Sequence, residues 1–122
     1  MEEYSITMEF AGKTVDEGRH AASSVLGHIQ GQKKKFRYEQ GEWTGSILPW
    51  SFVADGSILG DLKAEGRTTV EETANGMRVT VQFDHLDKVI KSVGGRPTVR
   101  DTTGAYEYFL GQPASTITSP RV

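Results

Sequence analysis

With 122 residues, of which 36% are hydrophobic and 25% charged, the chain has the size and composition of a single globular domain. Its formal net charge of -2 provides no overall field that would attract nucleic acid or an anionic membrane. The sequence has no cysteine, which excludes disulfides, thiol nucleophiles and thiolate metal sites, and it has no apolar run long enough to span a membrane. Because the first ten residues, MEEYSITMEF, are acidic and alternating, unlike a signal peptide, we expect a cytoplasmic protein without a membrane partner.

The first two predicted elements are a strand and a long helix. Apolar and polar residues alternate over residues 4–10, which is the period of a strand with one buried face. The following TVDE has the pattern of a capping box, in which Thr14 caps a helix and Glu17 reaches back to the Thr14 amide. We expect this helix to end near Gly31 and to approach a sheet closely at Gly18. Its apolar stripe consists of Val15, Ala22, Val25, Leu26 and Ile29.

Residues 32–40, QKKKFRYEQ, combine cations with aromatic side chains, as many nucleic-acid-binding segments do. In a strand, however, the alternation places Phe36 and Tyr38 on one face and the cations on the other. Bases stack on aromatic side chains that share a surface with the cations binding the phosphates. We therefore interpret the segment as a strand with core aromatics and a solvated basic face, and expect no nucleic-acid partner.

Two more strands are predicted between residues 43 and 73. The apolar positions of 43–54 switch parity near Pro49, which indicates a bulge, a bend or a sheet edge, because proline cannot donate to a ladder. Asp55-Gly56 predicts a tight hairpin turn, with a long return strand from Ser57 to Thr73.

The strongest local signal is Asn75-Gly76 between two alternating runs, which predicts a type I′ hairpin. A two-residue turn would pair Val70 with Val81. One face of this hairpin is then apolar, with Val70, Met77, Val79, Val81 and Phe83, and the other is polar, with Thr69, Glu71, Thr73, Arg78, Thr80 and Gln82. Glu72 falls on the apolar face near the hairpin end, where it can reach water.

The pattern changes after Phe83. Asp84 can cap a short helix that ends at Gly94. Residues 97–110 then read as a final hairpin around the turn DTTG at 101–104, although a helix over 103–110 is the competing interpretation, disfavoured by its aromatic residues and Gly104. The last twelve residues are small, polar and aperiodic.

Together these elements predict an α+β fold. We expect a curved, mostly antiparallel sheet of six or seven strands packed on one long N-terminal helix, with a short second helix before a C-terminal hairpin. Residues 1–110 would form the domain and residues 111–122 an extended C-terminal arm.

Few residues are placed for chemistry. His20 and His28 are two turns apart and face solvent, and Asp84-His85-x-Asp87 suits a helix N-terminus better than a metal, so we expect no metal or cofactor. A weak anion-binding hypothesis rests on a glycine loop with nearby guanidinium groups, although such glycines usually end a helix. Its residues are Gly94, Gly95, Arg96 and Arg100.

The leading functional hypothesis is a non-enzymatic interaction or assembly protein that engages partner chains, in a homo-oligomer or a larger complex, through its sheet and its arm. Ile117, between Pro113 and Pro120, would anchor the arm as an extended strand on an exposed edge of a neighbouring chain. The alternative is a small-molecule binder or a small acid–base enzyme with an apolar cavity between helix and sheet. That cavity would be lined by Trp43, Trp50, Phe52, Asp61 and Glu72, and burial would raise the pKa values of the two carboxyl groups.

Overall fold

The computed structural model describes residues 4–32, 37–54, 62–86 and 99–118. These residues form, in chain order, β1 (Tyr4–Ala11), α1 (Val15–Gln32), β2 (Arg37–Gln40), β3 (Ile47–Ala54), β4 (Leu62–Glu72), β5 (Gly76–Leu86), α2 (Val99–Leu110) and β6 (Thr116–Thr118). All six strands belong to one antiparallel sheet with the order β2-β3-β4-β5-β1-β6. The described part of the chain confirms the predicted α+β fold with a curved sheet.

The core lies between one face of the sheet and the two helices. Alternate residues of the central strands β1, β4 and β5 are buried on this face, as the period of two requires. The core cluster comprises Ile6, Met8, Phe10, Ala21, Ala22, Val25, Trp50, Val70, Met77, Val79, Val81, Phe83, Tyr106 and Leu110. The opposite face carries the intervening polar residues, so the sheet has one dry face and one wet face.

The start of α1 follows the predicted capping box. The Glu17 N–H donates to Thr14 Oγ1 at 3.1 Å, and the Thr14 N–H donates to Glu17 Oε1 at 3.1 Å. The close approach predicted at Gly18 is also confirmed, because a Cβ there would lie 2.7 Å from Val70 Cγ1 and 3.0 Å from Met77 Sδ. The helix extends to Gln32, slightly beyond the predicted end.

The central hairpin has the predicted faces but a different register. Val70 pairs with Val79 instead of Val81, a displacement of two residues. Because side chains alternate with a period of two, an even displacement leaves every side chain on its predicted face. Buried on the core side are Val70, Met77, Val79, Val81 and Phe83, whereas Thr69, Glu71, Thr73, Arg78, Thr80 and Gln82 are at least partly exposed.

The turn of this hairpin is not the predicted type I′. Neither Asn75 nor Gly76 has a positive φ. Instead, the Thr73 N–H donates to the Gly76 carbonyl at 2.9 Å, and the Gly76 N–H donates to Thr73 Oγ1 at 3.1 Å. The turn is therefore centred on Ala74 and Asn75, one residue earlier than predicted, and the Thr73 side chain helps to close it.

The parity switch predicted at Pro49 is wrong. Leu48 and Trp50 are both buried, whereas Ile47 is 37% exposed, and the pairing of β3 with β4 continues through the proline. The Pro49 carbonyl accepts the Gly41 N–H at 2.8 Å. In an antiparallel strand the N–H and C=O of one residue point to the same side, so the missing donor of Pro49 faces the end of β2 and costs β4 no bond.

The tight turn predicted at Asp55-Gly56 does not set the register of β3 and β4. Ala54 pairs with Leu62, whereas a two-residue turn would have paired it with Ser57. Residues 55–61 themselves lie outside the described residues, as do residues 33–36 before β2.

The predicted C-terminal hairpin over 97–110 is wrong, because residues 99–110 form the helix α2. Tyr106 and Leu110, four residues apart on one helix face, are buried in the core cluster, and their helix packs on α1. This packing outweighs the strand preference of the aromatic residues. Asp101, predicted to open a turn, lies in the first turn of α2, where its carboxylate complements the helix dipole.

Asp84 does not cap a helix, because β5 continues through Leu86. The register of β4 and β5 shifts between Glu65 and Gly66, which leaves Asp84 as the extra residue of a β-bulge. Its carboxylate accepts a hydrogen bond from Gln82 Nε2 at 2.9 Å. The remainder of the predicted short helix, residues 87–94, lies outside the described residues.

Candidate functional site

The C-terminal arm leaves α2 through a turn at Gly111. The Gly111 N–H donates to the Glu107 carbonyl at 2.9 Å, and Gly111 has a φ of 73°, the left-handed conformation common after a helix end. The Glu107 carboxylate then accepts the N–H of Ala114 at 2.8 Å. Glu107 therefore fixes both ends of the turn, and we call its bond to Ala114 the latch.

Beyond the latch, the arm lies along the free side of β1. The Gln112 Nε2 donates to the Ala11 carbonyl at 2.8 Å, and the Ser115 N–H donates to the Glu9 carbonyl at 2.8 Å. Thr116 Oγ1 adds a bond to the Glu9 carboxylate at 3.0 Å. The register of β6 on β1 is Thr116 with Glu9, Ile117 with Met8 and Thr118 with Thr7.

This pairing covers a sheet edge with very little side-chain burial. Without the arm, β1 would present a row of unpaired backbone groups that invite another strand. All three residues of β6 are exposed, and even Ile117 remains 48% exposed. Backbone hydrogen bonds, together with the half-covered side chain of Ile117, therefore hold β6 in place.

The extended conformation and edge pairing predicted for the arm are present, with β1 of the same chain as the acceptor. Pro113 is exposed between α2 and β6, and Pro120 lies outside the described residues. Docking of the arm on a neighbouring chain stays a prediction.

The arm also extends two rows of polar side chains that cross the wet face of the sheet. The first row, from β6 to β4, consists of Thr118, Thr7, Thr80 and Thr69. The second consists of Thr116, Glu9, Arg78 and Glu71. Arg78 Nη2 lies 3.8 Å from Glu9 Oε1 and the pair is partly exposed, so solvent screening keeps its contribution small.

The predicted cavity residues have separate structural roles. Trp50 is only 4% exposed, packs edge-to-face on Phe83 with ring centroids 4.9 Å apart, and donates its indole N–H to Thr68 Oγ1 at 2.9 Å. Trp43 packs half-buried against the core, with the Arg19 guanidinium 5.2 Å from its ring centroid. The two indoles are thus accounted for by packing.

Glu72 is not near these tryptophans along its strand. It is exposed at the end of β4, six residues beyond Gly66, which pairs with Trp50. Six strand residues span about 20 Å. Asp61 and the side chain of Phe52 lie outside the described residues, and the structure does not bring Glu72 together with Trp50.

The anion-binding residues cannot be placed together either. Gly94, Gly95 and Arg96 lie outside the described residues, and Arg100 is located only through its backbone in the first turn of α2. Within the ranges that the structure describes, no three acidic or histidine side chains form a group that could hold a metal ion.

A cleft with a volume of about 480 Å³ lies across the β2, β3, β4 and β5 strands. Three of its lining residues are acidic: Glu39, Glu65 and Asp84. Glu39 and Glu65 each have a polar or electrostatic interaction within the protein, and Arg67 Nη2 lies 3.6 Å from Asp84 Oδ1.

The sequence reasoning missed Glu107 and Gly111 as functional positions. Gly111 followed by Pro113 is a typical helix stop, and this signal points to a helix before residue 111 rather than to a strand. The latch itself has no sequence signature, because it depends on how far the chain folds back after the helix.

No protein-family model matches the sequence, and comparisons with curated proteins and with solved structures found no match. Neither helix of the described ranges is long and apolar enough to cross a membrane.

Proposed function

We propose that the chain is a non-enzymatic interaction protein that assembles with partner chains by strand addition at the β1 edge. The observation that carries this proposal is the pairing of a short, exposed segment, residues 116–118, on that edge. In strand addition the main-chain hydrogen bonds supply affinity, and any extended segment of suitable length can provide them. The sheet provides the acceptor, and the arm provides a strand to donate.

The energetics of the arm favour exchange with a competing strand. Ordering one residue costs about 1–2 kcal/mol of backbone entropy. A typical hydrogen bond contributes a net stabilisation of about 1 kcal/mol. The β6 side chains add a modest amount of apolar burial to this balance, since Ile117 is 48% exposed and the two threonines are exposed. The arm is therefore held by a small net free energy, and the β1 edge is accessible to another strand.

A second exposed surface supports an interaction role. On α2, Tyr108 is 78% exposed and Phe109 is 39% exposed. Their rings pack edge-to-face at 5.6 Å, and the exposed His28 of α1 packs on Phe109 at 5.7 Å. Clustered aromatic side chains are enriched at protein interfaces. The proposal also includes a cytoplasmic location, which the cysteine-free sequence supports.

A peptide titration tests strand addition directly. The acceptor is the full chain carrying Thr116→Pro and Ile117→Pro, because alternate N–H groups face the neighbouring strand and two consecutive prolines must remove one that does. A synthetic peptide of residues 111–118 should then bind the vacated edge and shift the backbone amide NMR signals of Thr7, Met8 and Glu9 in a saturable way.

The matched control is the same peptide with the same two prolines, which should leave those signals unchanged. Circular dichroism on the acceptor establishes that it is folded. A folded acceptor that responds to neither peptide would overturn the proposal.

A further inference from the structure

We infer, on the basis of the proposed function, that the arm is an exchangeable strand and that its second acceptor is the β1 edge of another copy of this chain. The structure supplies both halves of the interaction within one sequence. The donor is residues 116–118, and the acceptor is Thr7, Met8 and Glu9 of β1. A second copy offers the same acceptor with the same register, so exchange requires no new surface.

The connector between α2 and β6 is the part of the arm that would change conformation on exchange. Residues 111–115 connect α2 to β6 without belonging to a helix or strand. Gly111 adopts a left-handed conformation, and the latch from Glu107 to Ala114 holds the chain folded back. Breaking the latch and extending this connector releases β6 without disturbing the buried residues Tyr106 and Leu110 of α2.

The length of the connector fixes the geometry of the exchanged pair. Five extended residues span at most roughly 17 Å. The β1 edge of the second copy must therefore lie within that distance of the α2 end of the first. Reciprocal exchange then places the two β1 edges side by side about a twofold axis, which is the commonest symmetry of homodimers.

The closed arm contacts its own chain through a few polar bonds and through Ala114, which packs partly buried against the core. Glu107 bonds Ala114, Gln112 bonds Ala11, and Ser115 bonds Glu9. Of these, the bonds to β1 are available again on a second copy. The latch belongs to the closed form, because extending the connector moves Ala114 away from Glu107. Loss of the latch should therefore favour the exchanged dimer.

Disulfide trapping tests the exchange, because the parent chain has no cysteine. One full-length chain carries Thr7→Cys in β1 and a second carries Thr118→Cys in the arm, two positions that pair directly across β1 and β6. The chains are mixed, incubated and oxidised mildly, and the peptide linking positions 7 and 118 is quantified by mass spectrometry. Only an arm that pairs with another copy's β1 brings these cysteines together.

The matched control replaces Thr118→Cys by Thr44→Cys, an exposed threonine in the turn before β3. Pairing creates an effective concentration in the millimolar range, so the 7–118 link should exceed the 7–44 link at least roughly five-fold. Adding Glu107→Ala to both chains should increase the 7–118 link further, because it removes the latch. Equal yields of the two links, with or without Glu107→Ala, would overturn the exchange.

The trapping and peptide experiments separate the two proposals. If the peptide binds the vacated β1 edge but the 7–118 link stays at the control level, exchange between copies is contradicted and strand addition with a different partner stands. If the peptide fails to bind a folded acceptor, strand addition itself is contradicted.

Discussion

The Asn-Gly pattern correctly predicts a hairpin in this region, but the reason for glycine at position 76 differs from the one that the pattern suggests. The Asn-Gly pattern suggests that glycine is needed for a positive φ, yet Gly76 does not have one. A Cβ at Gly76 would instead meet the carbonyl oxygen of Phe10, with Gly12 N at 2.9 Å and Ala11 Cα at 3.0 Å. These are backbone atoms of β1 and the following turn, which cannot move aside as a flexible side chain does.

Replacing Gly76 by alanine should therefore destabilise the protein by about 1–3 kcal/mol, the usual range for a substitution that creates a clash in a packed region. The measurement is denaturant unfolding followed by circular dichroism. Gly104→Ala is the matched control, since a Cβ there meets nothing within 4 Å and alanine in a helix should stabilise by roughly 0.5–1 kcal/mol. A Gly76→Ala protein as stable as the parent would contradict the close approach of β1.

At the residue scale, sequence patterns correctly predicted the features that depend on contacts between residues close in the sequence. The capping box of Thr14 and Glu17 depends on residues three apart, and the alternation of β5 depends on its own side chains. The role of Gly76 depends on Phe10, which lies far away in the sequence. A pattern of neighbouring residues cannot predict this contact between distant parts of the chain.

At the scale of elements, the two helices were predicted with unequal success. The helix α1 has a capping box, an apolar stripe and few competing strand formers. In α2, the aromatic residues and Gly104 favour a strand locally, whereas burial of Tyr106 against the core favours a helix. Whether a residue such as Tyr106 is buried follows from the tertiary arrangement, which is why the hairpin prediction failed.

The capping box of α1 predicts a pH dependence. The N–H of Thr14 bonds the Glu17 carboxylate and lowers the pKa of Glu17 from 4.5, with Lys13, whose Nζ lies 3.4 Å away, acting in the same direction. Because the folded pKa is the lower one, the ionised carboxylate stabilises α1 fully above pH 4.5. This stabilisation is lost as the pH falls through the folded pKa.

Glu17→Gln should therefore lower the free energy of unfolding at neutral pH, and the difference from the parent should shrink on acidification. Unfolding curves of both proteins between neutral and strongly acidic pH provide the measurement. A difference that is independent of pH would mean that the charge of Glu17 does not contribute to the cap.

For the whole molecule, the α+β class and the antiparallel sheet could be predicted because alternation is strong in β1, β4 and β5. The acceptor of the arm could not be predicted. The sequence indicates that residues 116–118 are extended, but any unpaired sheet edge could accept their backbone hydrogen bonds. The fold leaves one side of β1 for β6, and Gln112, just after α2, bonds Ala11 at the end of β1, so the chain's own β1 is a nearby acceptor.

The central claim is that the arm donates a strand that joins copies of the chain. The parent protein and a chain ending at Gly111 are compared by light scattering at matched concentrations, with circular dichroism as the check on folding. We predict that the parent reaches a multiple of 13.4 kDa as the concentration rises, whereas the shortened chain stays folded and assembles less than the parent. A parent of single-chain mass at every concentration, or a shortened chain that assembles as well as the parent, would contradict the claim.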